Sequence, residues 1–117
     1  MIYINYMSDQ CIFCKIVDKK LPAEIVYEDE NILAFNDINP KAEKHVLLIP
    51  KKHIESLQYT EDLDRDILGE LLLSSKKIMK SLGVESGYRT IVNTGKGGGQ
   101  EVFHLHLHLL AGNLPNF

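Results

Sequence analysis

Residues 104 to 110 read HLHLHLL, a strict alternation of imidazole and leucine side chains. Such alternation fits a β-strand, because successive side chains of a strand point to opposite faces of the sheet. We predict a strand over Val102–Leu110, with His104, His106 and His108 on one surface. The leucines between them would face a core on the other side. The chain is therefore expected to build a sheet with one dry face.

A long helix is expected over about Glu61–Leu82, because apolar side chains recur there at every fourth position. Thr60 stands before this run as a candidate N-cap, and Gly83 stands just past its end, where glycine commonly stops helices. The side chains expected on the core face are Leu63, Ile67, Leu71, Ser75 and Met79, with Leu68, Leu72, Ile78 and Leu82 beside them.

The other elements complete an α+β domain that occupies residues 1–117 as a single unit. A short helix is expected from about Gln10 to Val17, capped by Ser8 or Asp9 and ended by Leu21-Pro22. Residues 1–9 are expected to form a loose extension. The further strands are expected over Ile25–Glu28, Ile32–Asn36, His45–Ile49 and Tyr88–Asn93. The continuous apolar run over His45–Ile49 predicts burial on both faces.

Composition excludes several classes of function. The chain has 13 basic and 16 acidic residues, a formal net charge of −3, which argues against an extended nucleic-acid-binding face. No run approaches the roughly 18 to 20 apolar residues that cross a bilayer, so no membrane association is expected. The start MIYINYMSDQ lacks the basic and apolar regions of a secretory leader, which favours a cytoplasmic location. In that compartment Cys11 and Cys14 would be thiols or metal ligands.

Three interpretations of the histidine strand remain open at the level of the residues. The strand can be half-exposed and carry histidines without further purpose, it can present a metal-binding face, or one imidazole can act as a nucleophile. The preceding segment TGKGGGQ, residues 94 to 100, is too glycine-rich for regular structure and matches neither a P-loop nor a dinucleotide-binding fingerprint. Its glycines would let backbone N–H groups approach an anion. A phosphate beside an imidazole is therefore one reading.

The segment VNTGKGGGQEVFHLHLHLLAG, residues 92 to 112, resembles the C-terminal signature of the histidine triad (HIT) family in its Hint branch, the bacterial type of purine nucleoside phosphoramidase. Residues 11 to 54, from CIFCK to PKKHI, are similar to the same branch in order and spacing. The resemblance implies a five-stranded antiparallel sheet with one long helix, in a homodimer whose sheet has ten strands. It also implies hydrolysis of purine nucleoside 5′-phosphoramidates, or related nucleotidyl conjugates, to a nucleoside monophosphate.

The resemblance also implies roles for individual residues. His106 matches the nucleophile that forms a covalent nucleotidyl-histidine, and His108 matches the residue that binds phosphoryl oxygens. His104 and His45 complete the catalytic imidazoles. Asp37 matches the carboxylate that binds the ribose, with Ile38 beside it. The other positions matched to the nucleotide are Asn93, Gly99, Gln100, Glu101 and Val102 near the phosphate, and Ile12, Phe13, Ile16 and Phe35 around the purine base.

The C-x-x-C pair is ambiguous by itself, because thiols, a redox pair and a metal site all fit it. Some histidine triad proteins combine it with a histidine after the IPK segment and with the first triad histidine. The corresponding set here is Cys11, Cys14, His53 and His104, which suits a structural, tetrahedral zinc ion. No organic cofactor is expected.

Alternative functions follow from the same motifs. One is hydrolysis of dinucleoside polyphosphates, as in the related Fhit branch, and another is a nucleotide-binding regulatory module with little activity. Zinc-dependent hydrolysis is a further idea. Glu101 stands where some family members have serine, which leaves the proton donor to the leaving group open.

Overall fold

The protein is described here by a computed structural model over residues 10–116, in which five strands form one antiparallel sheet. The order across the sheet is β1-β2-β3-β5-β4, so the last strand in sequence lies inside the sheet and β4 lies at one edge. The strands are β1 (Ile25–Glu28), β2 (Ile32–Asn36), β3 (Lys44–Pro50), β4 (Arg89–Ile91) and β5 (Leu107–Ala111). The predicted α+β class with five antiparallel strands is confirmed.

The long helix, α2, spans Arg65–Ser81 and begins later than expected. A 3₁₀ turn over Asp62–Asp64 precedes it, and the Asp64 carboxylate accepts a hydrogen bond of 2.9 Å from the backbone N–H of Glu61. The chain therefore turns once more before the helix starts, and the prediction of Thr60 as its N-cap was wrong. No helix among residues 10–116 has the length and apolar character needed to span a membrane.

The other end of α2 follows the prediction. Gly83 has φ of 85°, a left-handed conformation that is costly for residues with a Cβ atom. Its N–H donates to the Lys80 carbonyl at 3.0 Å, and the Val84 N–H donates to the Met79 carbonyl at 3.0 Å. These two bonds form a Schellman motif, which satisfies carbonyls that the helix end would otherwise leave unpaired.

One side of the sheet is covered by α2. Its buried core includes alternate residues of the central strands, among them Ala34, Val46 and Leu109, together with Leu71 and Met79 of the helix. Two apolar residues that the helical period placed on this face do not reach it, since Leu63 is 75% exposed and Leu72 is 59% exposed. The helix thus buries a narrower stripe than the sequence pattern indicated.

The opposite side of the sheet carries a smaller core around a second helix, α1, which spans Ile12–Val17. Cys11 caps this helix, because its sulfur accepts from the Cys14 N–H at 3.3 Å. The predicted caps Ser8 and Asp9 and the predicted loose extension over residues 1–9 lie outside the described residues. In β3, Leu47 and Ile49 face α1 while Val46 and Leu48 face α2, which confirms burial on both faces.

The strand with alternating histidines is shorter than predicted. Residues 102–106 are irregular and β5 begins at Leu107, partly because the Leu105 N–H donates to the Ile54 carbonyl at 2.6 Å, outside the strand ladder. Leu105, Leu107 and Leu109 nevertheless all lie in the core under α2, as expected. Two other boundaries also differ: β4 is shorter than the predicted Tyr88–Asn93, and the glycine-rich segment contains one 3₁₀ turn, Lys96–Gly98.

Candidate active site and adjoining metal centre

A cavity of about 930 Å³ opens on the side of the sheet that carries α1. It exists because a helix of six residues covers only part of that face. Most of the residues predicted to bind nucleotide or to act in catalysis line it together. These are Ile12, Phe13, Ile16, Phe35, Asp37, Ile38, His45, Asn93, Gly99, Glu101, Val102, His106 and His108.

One end of the cavity is an apolar slot. The rings of Phe13, on α1, and Phe35, on β2, meet edge to face with centroids 5.4 Å apart. Leu47 of β3 also lines the slot, as does the turn after α1, residues 21–23. The sequence analysis does not predict residues 21–23 as part of the site, because Leu21-Pro22 indicates only where a helix ends. The slot offers flat apolar surface of the kind that stacks against a heterocyclic base.

Asp37 and Ile38 lie at the mouth of the cavity, at the end of β2. The Oδ1 atom of Asp37 accepts from the Asn39 N–H at 2.8 Å, and its Oδ2 atom lies 3.4 Å from Nε2 of His45. Ile38 is 90% exposed, so it forms an apolar rim and not part of a core. The carboxylate is thus held in place by its own loop while it faces the cavity.

One ring nitrogen of His106 forms a hydrogen bond with the main chain, and the other has no hydrogen-bond partner among the described residues. Its Nδ1 lies 2.7 Å from the main-chain carbonyl of His104, and a carbonyl can only accept, so Nδ1 carries the proton. Nε2 is then left with a lone pair. Burial lowers the pKa of His106 although the hydrogen bond to His104 raises it, so the ring is neutral at physiological pH. A neutral imidazole with a free Nε2 is the form that acts as a nucleophile.

His45 and His108 form a second pair of imidazoles beside it. Nε2 of His45 lies 2.9 Å from Nδ1 of His108, and the His108 and His106 ring centroids are 4.9 Å apart. Burial, reinforced by the charges that His106 and His45 would carry, lowers the pKa of His108 to about 4. Burial also lowers the pKa of His45. His45, His106 and His108 are therefore three neutral rings that border the cavity.

The glycine-rich loop borders the cavity, but one predicted residue does not reach it. The side chain of Gln100 is 4% exposed; its amide donates to the Glu55 carbonyl at 2.8 Å and to the Val102 carbonyl at 3.0 Å, and its oxygen accepts from the Gly95 N–H at 2.8 Å. Its own N–H donates to the Gly95 carbonyl at 3.1 Å. The expected contact of Gln100 with phosphate is thus replaced by a role in shaping the loop that presents Gly99 and Glu101.

His104 does not line the cavity either, since it is 0% exposed. Its Nε2 lies 2.8 Å from the Pro50 carbonyl, so this nitrogen carries the proton and Nδ1 keeps its lone pair. Nδ1 lies 3.3 Å from Sγ of Cys11 and 3.6 Å from Sγ of Cys14. Its link to the cavity is its main-chain carbonyl, which orients His106.

The donor atoms of the four predicted zinc ligands lie close together. Sγ of Cys14 lies 3.3 Å from Nδ1 of His53, and the four donor atoms of Cys11, Cys14, His53 and His104 all lie within 4.8 Å of one another. Sulfur and nitrogen ligands of a tetrahedral zinc lie about 3.5 Å apart, given a Zn–S distance of about 2.3 Å and a Zn–N distance of about 2.0 Å. The donor set and its spacing therefore fit a zinc ion.

The electrostatics of this cluster also favour a cation. Burial raises the pKa of the Cys11 thiol, but the contacts of its sulfur with the His104 ring, the His53 ring and the Cys14 N–H outweigh that effect and bring the pKa to about 5. A thiolate is the form that ligates metal. The donors lie on α1, on the segment after β3 and just before β5, so an ion here would join three parts of the chain.

A residue that the sequence prediction missed completely is Lys41. It lies in the loop between β2 and β3, lines the cavity, and donates its main-chain N–H to Nδ1 of His45 at 3.0 Å. No sequence pattern could have shown this contact, because the donor is a backbone group and its direction depends on the path of the loop.

The fold and the site define a class of protein in which neutral histidines face a cavity bordered by a glycine-rich loop. The sequence profile of the HIT domain matches residues 18–114. The chain is 51% identical over 102 residues to protein HitA of Neisseria gonorrhoeae, covering 87% of this chain and 95% of that protein. This chain belongs to the HIT domain family.

Solved structures agree with that assignment. A HIT family hydrolase from Legionella pneumophila superposes with a TM-score of 0.88 at 48% identity, covering 92% of this chain and 97% of that one. A histidine triad protein from Clostridium difficile superposes with a TM-score of 0.87 at 50% identity, covering 92% and 95%. The HIT fold is thus shown for this chain, and the similar structure from Legionella pneumophila is named a hydrolase.

Proposed function

We propose that this protein is a nucleotide hydrolase of the Hint type, which cleaves purine nucleoside 5′-phosphoramidates or related nucleotidyl conjugates to a nucleoside monophosphate. The observation that carries the proposal is the state of His106. Its Nδ1–H is held by the His104 carbonyl at 2.7 Å, and the ring borders the cavity that also contains the predicted base and ribose positions. A fixed tautomer with a free Nε2 is the requirement for nucleophilic attack on phosphorus.

The proposed reaction has two steps. Nε2 of His106 attacks the α-phosphorus, a bond from nitrogen to phosphorus forms, and the phosphorus–amine bond breaks. Water then attacks phosphorus, the bond to Nε2 breaks, and the nucleoside monophosphate leaves with the water oxygen. The amine departs with a proton that comes from water, so the sum is one water consumed for one bond cleaved. His108 is proposed to contact the phosphoryl oxygens during both steps.

The rest of the cavity supports the choice of a nucleotide. A base between α1 and Phe35 would place its ribose toward Asp37 and its α-phosphate toward His106, since these residues line one continuous cavity. An apolar slot stacks a base without reading its edge, so the purine preference rests on the resemblance to the Hint branch. Asn93, Gly99, Glu101 and Val102 are proposed to lie near the phosphate or the leaving group.

The decisive experiment offers the purified protein adenosine phosphoramidate and diadenosine tetraphosphate in separate assays. We expect turnover of the phosphoramidate, and we expect His106→Ala to abolish it while adenosine monophosphate still binds. Rapid acid quench followed by intact-mass measurement should trap one nucleotidyl group on the wild-type chain. Lys76→Ala, on the exposed side of α2, is the matched control and should behave like wild type.

Each alternative has its own result in the same experiment. Faster cleavage of diadenosine tetraphosphate would favour the dinucleoside polyphosphate hydrolase. Binding of adenosine monophosphate with no cleavage of either compound would favour a regulatory module. Equal turnover by wild type and His106→Ala would refute the nucleophile assignment.

Zinc is proposed for the cluster of Cys11, Cys14, His53 and His104. Four protein donors would complete a tetrahedral shell and leave no position for a reacting water, so the ion would supply structural stabilisation and not catalysis. Thiols kept reduced, as in the cytoplasm, are consistent with this proposal. Elemental analysis should find about one zinc per chain, and Cys11→Ser with Cys14→Ser should lose it. A chelated protein that no longer cleaves substrate while still folded would instead favour zinc-dependent hydrolysis.

A homodimer with a ten-stranded sheet is also proposed. It is supported by the position of β4 at an edge of the sheet, where another copy can extend the hydrogen-bond ladder. The exposed leucines of α2, Leu72 and Leu73, supply apolar surface for such contact. Sedimentation equilibrium should give twice the chain mass, and a monomer at micromolar concentration would count against it.

A further inference from the structure

The loop between β2 and β3 reaches the imidazole cluster through a backbone group. The Lys41 N–H lies 3.0 Å from Nδ1 of His45. A main-chain amide can only donate, so Nδ1 of His45 must accept. A neutral His45 then carries its proton on Nε2, because one ring nitrogen donates when the other accepts.

The proton on His45 fixes the next ring in turn. Nε2 of His45 lies 2.9 Å from Nδ1 of His108, so the N–H of His45 donates and Nδ1 of His108 accepts. His108 must then carry its own proton on Nε2, the nitrogen that remains for the cavity. Burial lowers the pKa of both rings, which keeps each with a single proton and makes this sequence of donors unambiguous.

We propose that the Lys41 main-chain N–H is a positioning group that sets the tautomers of His45 and His108, so that His108 presents an N–H donor to the cavity. His106 presents the opposite, a lone pair, because its Nδ1–H is held by the His104 carbonyl. Two adjacent imidazoles thus have complementary Nε2 atoms, a nucleophile and a donor. The benefit to a phosphoryl oxygen rests on the proposed function, since a lone pair at His108 would repel that oxygen.

The loop is built to hold this N–H in place. The Asp37 N–H donates to the His45 carbonyl at 2.9 Å, and Oδ1 of Asp37 accepts from the Asn39 N–H at 2.8 Å. Pro40 restricts the backbone just before Lys41. The remaining carboxylate oxygen of Asp37 lies 3.4 Å from Nε2 of His45, where it favours a proton on that nitrogen.

The same reasoning excludes a competing use of these residues. Asp37, His45 and His108 lie close enough together to share a metal ion. An ion would need a lone pair on Nε2 of His45, and the Lys41 N–H requires a proton there instead. The arrangement is therefore a hydrogen-bond relay and not a second metal site.

The first test reads the tautomers directly in the wild-type protein. Long-range ¹H–¹⁵N correlation spectra distinguish a protonated from an unprotonated nitrogen in each ring. We expect Nε2–H in His45 and His108, and Nδ1–H in His106. Detection of Nδ1–H in His108 would overturn the proposal. Adding Zn²⁺ beyond the amount that fills the cysteine cluster should leave the His45 signals unchanged, and metal-induced shifts there would also overturn it.

The second test removes the N–H alone. The matched pair is Lys41→Ala and the same protein with lactic acid at position 41, which has the same side chain but an ester oxygen in place of the main-chain N–H. We expect the ester to show a mixture of His108 tautomers and to bind adenosine monophosphate roughly tenfold more weakly than Lys41→Ala, as for loss of one hydrogen bond to a charged group. Lys41→Pro, which also lacks the N–H, should give the same spectral change.

The outcomes separate this inference from the proposed function. Unchanged tautomers in the ester would refute the role of Lys41, whatever the protein hydrolyses. Tautomers as expected, together with no hydrolysis of any nucleotide, would leave the relay intact and refute the function.

Discussion

The two faces of the sheet are covered by helices of very different length, and the difference locates the site. On one face α2, with 17 residues, closes a dry core of aliphatic side chains. On the other face α1, with six residues, covers only part of the surface and leaves the cavity beside it. A helix this short is not stable by its own hydrogen bonds, so it depends on tertiary contacts. One face therefore forms the larger core, and the other carries the candidate active site.

The same strands serve both faces. In β3, alternate residues point to α2 and to α1. In β5, Leu107, Leu109 and Ala111 point to α2, while His108 and Leu110 border the cavity. Rigid aliphatic packing on one side consequently holds the imidazoles on the other side. The comparison predicts that substitutions on the α2 face reduce stability most, whereas substitutions on the α1 face affect binding more than stability.

The largest loss of stability is expected for a residue that faces α2. A residue of the neighbouring strand that faces α1 provides the comparison. Leu109→Ala, at a residue 0% exposed under α2, should reduce the free energy of unfolding by about 2–5 kcal/mol. Leu47→Ala, whose side chain borders the cavity, should cost about half as much or less, because its surroundings are already open on one side. Urea denaturation measures both.

The same two variants should differ in the opposite direction in their affinity for nucleotide. Leu47→Ala should weaken binding of adenosine monophosphate, measured by calorimetry, while Leu109→Ala should leave the affinity of the folded fraction unchanged. Equal losses of stability in the two variants would contradict the division between a structural and a functional face.

Metal removal should loosen the α1 face selectively. Chelation, or Cys11→Ser combined with Cys14→Ser, would take away the proposed zinc anchor between α1 and the segments that carry His53 and His104. Amide hydrogen exchange in α1 should then accelerate roughly tenfold or more, which corresponds to about 1.4 kcal/mol of local stability. Exchange in α2 should not change. Lys15→Ala, on the same helix but with no metal donor, is the matched control, and equal acceleration there would argue against an anchoring ion.

How much of this could be read from the sequence depends on the kind of interaction. The presence and order of the five strands, the long helix and the stop at Gly83 follow from local periodicity and backbone preference, and these were predicted correctly. The bounds of β4 and β5 were not, since both strands are shorter than predicted. The predicted start of α2 was wrong. The Asp64 carboxylate caps a 3₁₀ turn just before the helix, so the helix begins later than the apolar periodicity indicates. Leu63 shows the same limit: its spacing placed it in the core, yet it precedes the helix and points to solvent.

The site divides in the same way. Residues that bear recognisable side-chain chemistry, such as His106, Asp37 and the two cysteines, were identified from the motif and its resemblance. The inward turn of Gln100 and the contact of Lys41 with His45 were not, because both depend on where backbone amides and carbonyls lie after the loops fold. Sequence patterns predict which side chains take part in a site. Histidine tautomers and loop shapes depend instead on hydrogen bonds with the main chain, which form only when the loops fold.

Acidification should act through the α1 face. The pKa of His108 is about 4 in the folded protein against an ordinary value of 6.5, so between these values the unfolded chain binds a proton that the folded one does not. Stability therefore rises with pH across this window, and the free energy of unfolding should fall as pH drops from 6.5 toward 4. Asp37 opposes this effect, whereas Lys41, His45 and His106 reinforce it. His108→Asn should flatten the slope measured in urea at several pH values; an unchanged slope would mean that His108 titrates normally.

The smallest effect is expected at a residue that periodicity wrongly assigned to the dry core. Leu63→Ala should change the free energy of unfolding by no more than about 0.5 kcal/mol, as for other exposed positions. Leu71→Ala, two turns along the same face by sequence spacing but 1% exposed, should cost about 2–5 kcal/mol. Thermal denaturation of the two variants in parallel decides the point. A loss at Leu63 comparable with that at Leu71 would mean that the core under α2 extends past the start of the helix, and the contrast between the two faces would be greater than the described packing indicates.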